Sequence, residues 1–174
     1  MEMKVVKRDE IFRGRVITVR RDLVELDGRE RTWDVVAHPG AVVVLAVDGD
    51  DLLFVRQYRY AAGEELLELV AGTCEPGEDP ATTAERELQE EAGFRARRLT
   101  KLCEFYSAPG FCTEKLHLFL AEELEPSRLP MDEDEQIALV RLSLDEALRM
   151  ALAGELRDAK TLAGVLLYAR RRGR

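Results

Sequence analysis

The sequence predicts an α/β fold: a mixed sheet sandwiched between helices, preceded by an antiparallel β extension. Three observations carry this. Short β-branched runs punctuated by turn residues fill the first 70 positions. Helix patterns with their own start and stop signals follow, interleaved with further strands. Hydrophobic residues make up 46% of the 174 positions, enough apolar material for one core with a short appended subdomain.

Taken in order, Arg15 to Leu26 and Arg29 to Val36 flank Asp27-Gly28, the signal of a type I′ hairpin. A second hairpin joins Ala41 to Val47 and Leu52 to Tyr58 through Asp48-Gly49-Asp50-Asp51. The first of these runs is almost unbroken in apolar residues, as expected of a strand covered on both faces. Leu66 to Val70 reads as another short strand. Asp79 is a helix cap with Pro80 at the first helical position, and Gly93 is the stop after Ala92. Strands are expected near Leu99 to Tyr106, Lys115 to Ala121 and Gln136 to Leu142, with a loop rich in acid and proline from Glu122 to Glu135. Ser143-Leu144-Asp145-Glu146 is a capping box for a helix ending near Gly154. Asp158 caps the last helix, Ala159 to Arg172. His38-Pro39-Gly40 marks the boundary between an extension over residues 1–38 and a main domain over 39–174.

Bulk chemistry narrows the function. No apolar run approaches the length of a membrane span, and the charged N-terminus lacks the apolar segment of a secretory signal, so the expected compartment is the cytoplasm and no membrane partner is expected. A net charge of −8 argues against nucleic-acid binding. The basic tail from Arg170 to Arg174 is read as helix-end charge. Three scattered cysteines give neither a disulfide framework nor a zinc site, and two histidines leave acid–base work to carboxylates.

The helix after Asp79 holds the densest chemistry. Glu87, Glu90 and Glu91 are three and four residues apart and project from a common face, with Glu85 adding charge nearby. Such a stripe is either a solvated acidic face or, with a hard cation among oxygen ligands, a metal site. The opposite face, Ala81, Ala84, Leu88 and Ala92, is apolar and suited to packing on the sheet.

Spacing decides between the two. Gly72 is followed after five residues by Glu78, and after seven more by Arg86-Glu87-Leu88-Gln89-Glu90-Glu91-Ala92-Gly93-Phe94. This resembles the Nudix box, G-x5-E-x7-R-E-U-x-E-E-x-G-U with U a bulky apolar residue, at every fixed position. At average residue frequencies such a match arises at roughly one start in a billion. Gly72 is expected to allow a close turn into the loop. Arg86, four residues before Glu90, is placed to orient a carboxylate.

The resemblance implies the rest. It assigns Glu87, Glu90 and Glu91, with the backbone carbonyl of Ala71, as ligands of Mg²⁺, for which Mn²⁺ or another divalent cation can substitute. Glu78 becomes a supporting residue, and Glu90 and Arg86 belong to the catalytic set. A metal-activated water would attack one phosphorus of a diphosphate. The general base in related enzymes is a glutamate on a loop after the box, which points to Glu135 first and Glu133 second within Asp132 to Glu135.

The flanks speak to the substrate. Gln57-Tyr58-Arg59-Tyr60 and Glu68-Leu69-Val70-Ala71-Gly72 resemble the Q-Y-R and E-L-P-A-G segments of the ADP-ribose and nucleotide-sugar pyrophosphatase subfamily, with Val70 in place of the proline. Ser107-Ala108-Pro109-Gly110 resembles its S-P-G element, and Asp158-Ala159-Lys160-Thr161 its C-terminal helix. Together these matches run from Val35 to Leu166. They imply hydrolysis of ADP-ribose to AMP and ribose 5-phosphate, with another nucleotide sugar such as GDP-mannose, or a non-catalytic nucleotide-binding module, as alternatives. Arg56, Arg59, Pro109 and Gly110 are the expected substrate contacts. Trp33 is either core packing or, by resemblance to enzymes whose N-terminal residues stack on a neighbouring subunit's adenine, a base-stacking residue of a domain-swapped homodimer.

Overall fold

The computed structural model describes residues 2–131 and 136–174, which form two compact units. The first comprises Met1–Gly40 and Phe105–Lys115, the second Ala41–Glu104 and Leu116–Arg174.

In the first unit, strands β1 (Met3–Arg13), β2 (Thr18–Leu26) and β3 (Arg29–Ala37) make an antiparallel sheet in that order. Leu26 pairs with Arg29 across the tight turn expected at Asp27-Gly28, whose φ angles of 48° and 76° are both positive, as a type I′ turn demands. Two bulges interrupt β1 against β2, between Val5 and Lys7 and between Glu10 and Phe12. The segment 105–115 joins this unit through Val36, whose N–H donates to the Phe111 carbonyl at 2.8 Å and whose carbonyl accepts from Thr113 at 2.9 Å.

The second unit is built on a seven-stranded mixed sheet. Its main path runs β10 (Ile137–Ser143), β5 (Asp51–Arg59), β4 (Ala41–Asp48), β9 (Lys115–Pro126) and β8 (Phe94–Tyr106). β6 (Glu64–Glu68) pairs with β5, and β7 (Val70–Thr73) with β4. β4 and β9 pair in parallel. From Ala41 to Ala46 every residue of β4 is buried, as its unbroken apolar run predicts. One face packs Val42, Val44, Leu53, Val55, Val70, Phe119 and Ala121 against Ala84, Leu88 and Ala92 of helix α1 (Pro80–Glu87) and the turn continuing it. Helix α3 (Ala159–Arg171) lies close over Leu69, because a Cβ on Gly164 would stand 2.5 Å from the Leu69 methyl. Helix α2 (Leu144–Leu152) starts at its expected cap, where Glu146 N–H donates to Ser143 Oγ at 3.2 Å.

Three local expectations are corrected. The single strand expected over Leu66 to Val70 is two, since the chain leaves β5 after Glu68 and joins β4 at Val70. Leu69, at the crossing, sends its N–H to Thr161 Oγ1 of α3 at 2.8 Å. Residues 122–126 extend β9 rather than opening the acidic loop, because their carboxylates pair with arginines of β8: Glu122 with Arg98 at 3.1 Å, Glu125 with Arg95 at 2.7 Å. The glutamate helix is α-helical only to Glu87, and Leu88–Ala92 is a π-helical turn before Gly93, which caps it at φ 77°.

Candidate active site

The site begins with a cap. Asp79 accepts from Ala81 N–H at 3.0 Å and Pro80 takes the first helical position, so α1 starts where its sequence signals place it. From there the apolar face turns to the sheet and carries Glu87 and Glu91 inward with it, to 8% and 3% exposure. Carboxylates are rarely so buried without partners.

Their partners are specific. Arg86 is the hub: it donates to Glu87 at 2.7 Å, to Glu90 at 2.8 Å and to both oxygens of Glu78 at 3.2 Å. Burial works against this guanidinium's charge, but the carboxylates outweigh it and hold Arg86 above its ordinary range. Hydrogen bonding by Arg86 in turn pulls Glu78 below the ordinary carboxylate value, helped by Thr83. Glu91 accepts from Ala71 N–H at 3.1 Å, tying the π turn to β7. Gly72 serves this packing rather than a turn. It lies within β7, and a Cβ there would fall on the carboxylate of Glu87. The space left by its missing side chain is where Glu87 sits.

A second ionic group lies at the end of β5. Glu68, 1% exposed, accepts two bonds from Arg59 at 2.6 and 2.7 Å and a further one from Lys160 of α3. Lys160 also pairs with Asp158 at 3.0 Å, and Asp158 caps α3 through Thr161 N–H. Burial pushes the Glu68 carboxyl up, but Arg59 and Lys160 together hold it below its ordinary value. Arg59 is raised first by its bond to Glu68, with Glu91 and Asp158 adding attraction. The attraction of Glu91 thus extends to Arg59.

Sequence reasoning placed Arg56 and Arg59 together, and the pleat separates them. At odd spacing along an uninterrupted strand they point to opposite faces, Arg59 sharing the face of Val55 that packs toward the glutamates. Trp33, 36% exposed and opposite Asp22 in the β2–β3 ladder, belongs to the first unit, as do the exposed Pro109 and Gly110. Glu133 and Glu135 lie outside the described residues. Glu68 and Lys160 carried no assigned role in the sequence. Their signal was a lone acid inside the apolar stretch Leu66–Val70 and a lone lysine just inside a capped helix.

The donor set suits a hard cation. Three carboxylates and the neighbouring Ala71 carbonyl offer oxygen only, with neither thiolate nor imidazole among them. Among the described residues, no three acidic, His or Cys side chains are already gathered as for holding an ion. Arg86 engages Glu87 and Glu90 instead. All three cysteines are free thiols. No helix among the described residues is long and apolar enough to cross a membrane.

The NUDIX domain family model matches residues 36–165. The chain is 42% identical over 165 residues to "ADP-ribose pyrophosphatase" of Bacillus subtilis, covering 92% of this chain and 89% of that one. It is 39% identical over 168 residues to "Methanol dehydrogenase activator" of Bacillus methanolicus, at 94% and 91% coverage. A crystal structure of an ADP compounds hydrolase superposes with a TM-score of 0.88 at 26% identity, covering 100% of this chain and 97% of that one.

Proposed function

This chain belongs to the NUDIX domain family, as a hydrolase of diphosphate bonds, and from that premise we propose that it cleaves ADP-ribose to AMP and ribose 5-phosphate with Mg²⁺ as cofactor. One observation carries the reading: the turn that follows the Arg86-held glutamates bears Glu91, whose charge attracts a guanidinium, Arg59, itself held by a buried acid. Cation-seeking and anion-seeking groups side by side are what a metal-assisted diphosphate hydrolase needs. The relative in Bacillus subtilis named for ADP-ribose supports that substrate.

In this reading Glu87, Glu90, Glu91 and the Ala71 carbonyl hold the cation, with Mn²⁺ or another divalent ion able to replace Mg²⁺. When bound, the ion supplies Lewis acidity to a phosphoryl oxygen and activation of water. The chain's own residues do the remaining work. Arg86 orients Glu87 and Glu90 by charge-assisted bonds, and Glu78 fixes Arg86 from behind. Arg59 attracts the diphosphate, and Arg56, on the other strand face, is the weaker candidate for that role. Pro109 and Gly110 are proposed to border the sugar, and Glu135, with Glu133 second, to take the proton from water.

The division of labour follows the sequence reading: an extension over 1–38 that pairs two copies as a swapped homodimer and offers Trp33 to the adenine, and a catalytic domain over 39–174. Exposed Met3, Val5, Val6, Ile11 and Phe12 on β1 support a dimerising surface. Light scattering at micromolar concentration should give twice the chain mass, and a monomer ends the dimer proposal. Incubation with Mg²⁺ and a panel of ADP-ribose, other ADP compounds and GDP-mannose tests the substrate. Release of AMP from ADP-ribose at the highest kcat/KM is expected. Faster turnover of GDP-mannose would replace ADP-ribose in the reading.

A further inference from the structure

We propose that Ser127–Leu129 is a clamp that sets the helical register of the turn bearing Glu90 and Glu91. The starting point is a carbonyl. Gly93 N–H donates to Leu88 O, five residues back, so it cannot serve Gln89 O as it would in an α-helix. Gln89 O accepts instead from Leu129 N–H at 3.3 Å. The strap adds a second main-chain bond, Ser127 N–H to Gly93 O at 3.0 Å, across the end of the same turn.

Side chains reinforce the contact. Ser127 Oγ donates to Gln89 Oε1 at 2.9 Å, while Gln89 Nε2 donates to Glu85 O at 3.0 Å. Arg128 covers Gly93 so closely that a Cβ there would stand 3.1 Å from its Nε. Gln89 is the variable position between Leu88 and the glutamate pair, yet it is the residue the strap grips by both its carbonyl and its side chain.

The register matters because it aims the carboxylates. In an α-helix, four residues overrun one turn by about 40°. A turn closed five residues back removes that overrun and changes the angle between Glu87 and Glu91. In the observed register Glu91 reaches Ala71 N–H on β7. Without the strap, Gly93 N–H is free to return to Gln89 O, and Glu91 rotates away from that amide. Ser127 and Leu129 therefore act as positioning residues, through their bonds to Gln89 and Gly93.

The proposal rests on the reading that Glu87, Glu90 and Glu91 hold a divalent cation. Its test compares direct Mn²⁺ binding, by electron paramagnetic resonance, in four variants. Leu129→Pro deletes the donor and should weaken Mn²⁺ binding threefold to tenfold, the scale of one hydrogen bond. Leu129→Ala keeps the N–H and, at an exposed position, should change binding less than twofold. If Leu129→Pro does not fold, the double variant Ser127→Ala, Gln89→Ala should still weaken binding about threefold while circular dichroism stays unchanged. Glu91→Gln separates the two layers of argument. Unaltered Mn²⁺ binding in Glu91→Gln sinks the metal-site reading. Loss in Glu91→Gln together with wild-type binding in the folded clamp variants sinks the clamp alone.

Discussion

Glu68→Gln is the most informative single substitution outside the glutamate turn. Glutamine keeps the shape of Glu68 but removes the charge that two cations share in a site only 1% exposed. Removing one partner of a buried ion pair costs about 3–5 kcal/mol, because the other charge is stranded. Here the stranding is incomplete. Arg59 is 40% exposed and can turn to water, and Lys160, though 14% exposed, retains Asp158 at 3.0 Å. The lower end, about 3 kcal/mol, is therefore expected at pH 7. For a chain of this size that corresponds to roughly 6–12 °C in Tm. Urea unfolding followed by circular dichroism measures it. Glu68 also fixes the pH dependence. Its folded pKa lies below the ordinary value of 4.5, so the unfolded chain binds the proton more readily. The stabilisation is complete above that ordinary value and is lost as pH falls through the folded one. The gap between wild type and Glu68→Gln should thus be widest near neutrality and shrink once pH drops below about 4.5. A gap under 1 kcal/mol at pH 7, or one that does not shrink in acid, refutes this account of the pair.

Three further outcomes are expected. Gly72→Ala puts a methyl where the Glu87 carboxylate lies, so it should cost about 1–3 kcal/mol in urea unfolding and lower kcat at least tenfold; a fully active variant would show that Glu87 can move at no cost. Arg86→Gln leaves Glu78, Glu87 and Glu90 facing one another, so stability should fall by about 3 kcal/mol at pH 7. Because Arg86 holds Glu78 below its ordinary pKa, that deficit should lessen in acid titration below pH 4.5, and a deficit constant with pH counts against the hub. Glu91→Gln can keep its bond from Ala71 N–H through the amide oxygen, so Tm should shift little while kcat at saturating Mg²⁺ falls about a hundredfold or more; a near-normal rate removes Glu91 from the metal set.

Local signals were legible in the sequence because their causes are local. Asp27-Gly28, Asp79-Pro80 and Gly93 each fix a backbone geometry by what those residues can adopt, and each stands where it was expected. The box spacing likewise gave the glutamates a shared helix. The remainder depends on partners far along the chain. The π turn has a carbonyl taken up by Leu129, beyond two intervening strands, and no periodicity in residues 80–93 announces it. Burial of Glu68 depends on Lys160, 92 positions later. Gly72 looks like a turn residue until its neighbour in space, Glu87, is known. Arg56 and Arg59 look equivalent until the pleat sends them to opposite faces.

Charge accounting then bears on why the proposed reaction would use a cation. Three carboxylates, Glu78, Glu87 and Glu90, gather around one guanidinium, Arg86, and Glu91 follows in the same turn, on a chain already at −8. A diphosphate meets net repulsion there. Arg59 cannot offset it alone, because two of its donors are committed to Glu68. Lys160 does not change that balance: Glu68 serves two cations at once, but Asp158, paired with Lys160 at 3.0 Å, offsets the positive charge that this leaves. Cation attraction is therefore concentrated among the box glutamates. Placed the other way, with arginines among the box positions, the same groups could bind a diphosphate without metal but could not activate water against it. The arrangement favours catalysis over binding, which is how a hydrolase differs from a nucleotide-binding module of the same fold.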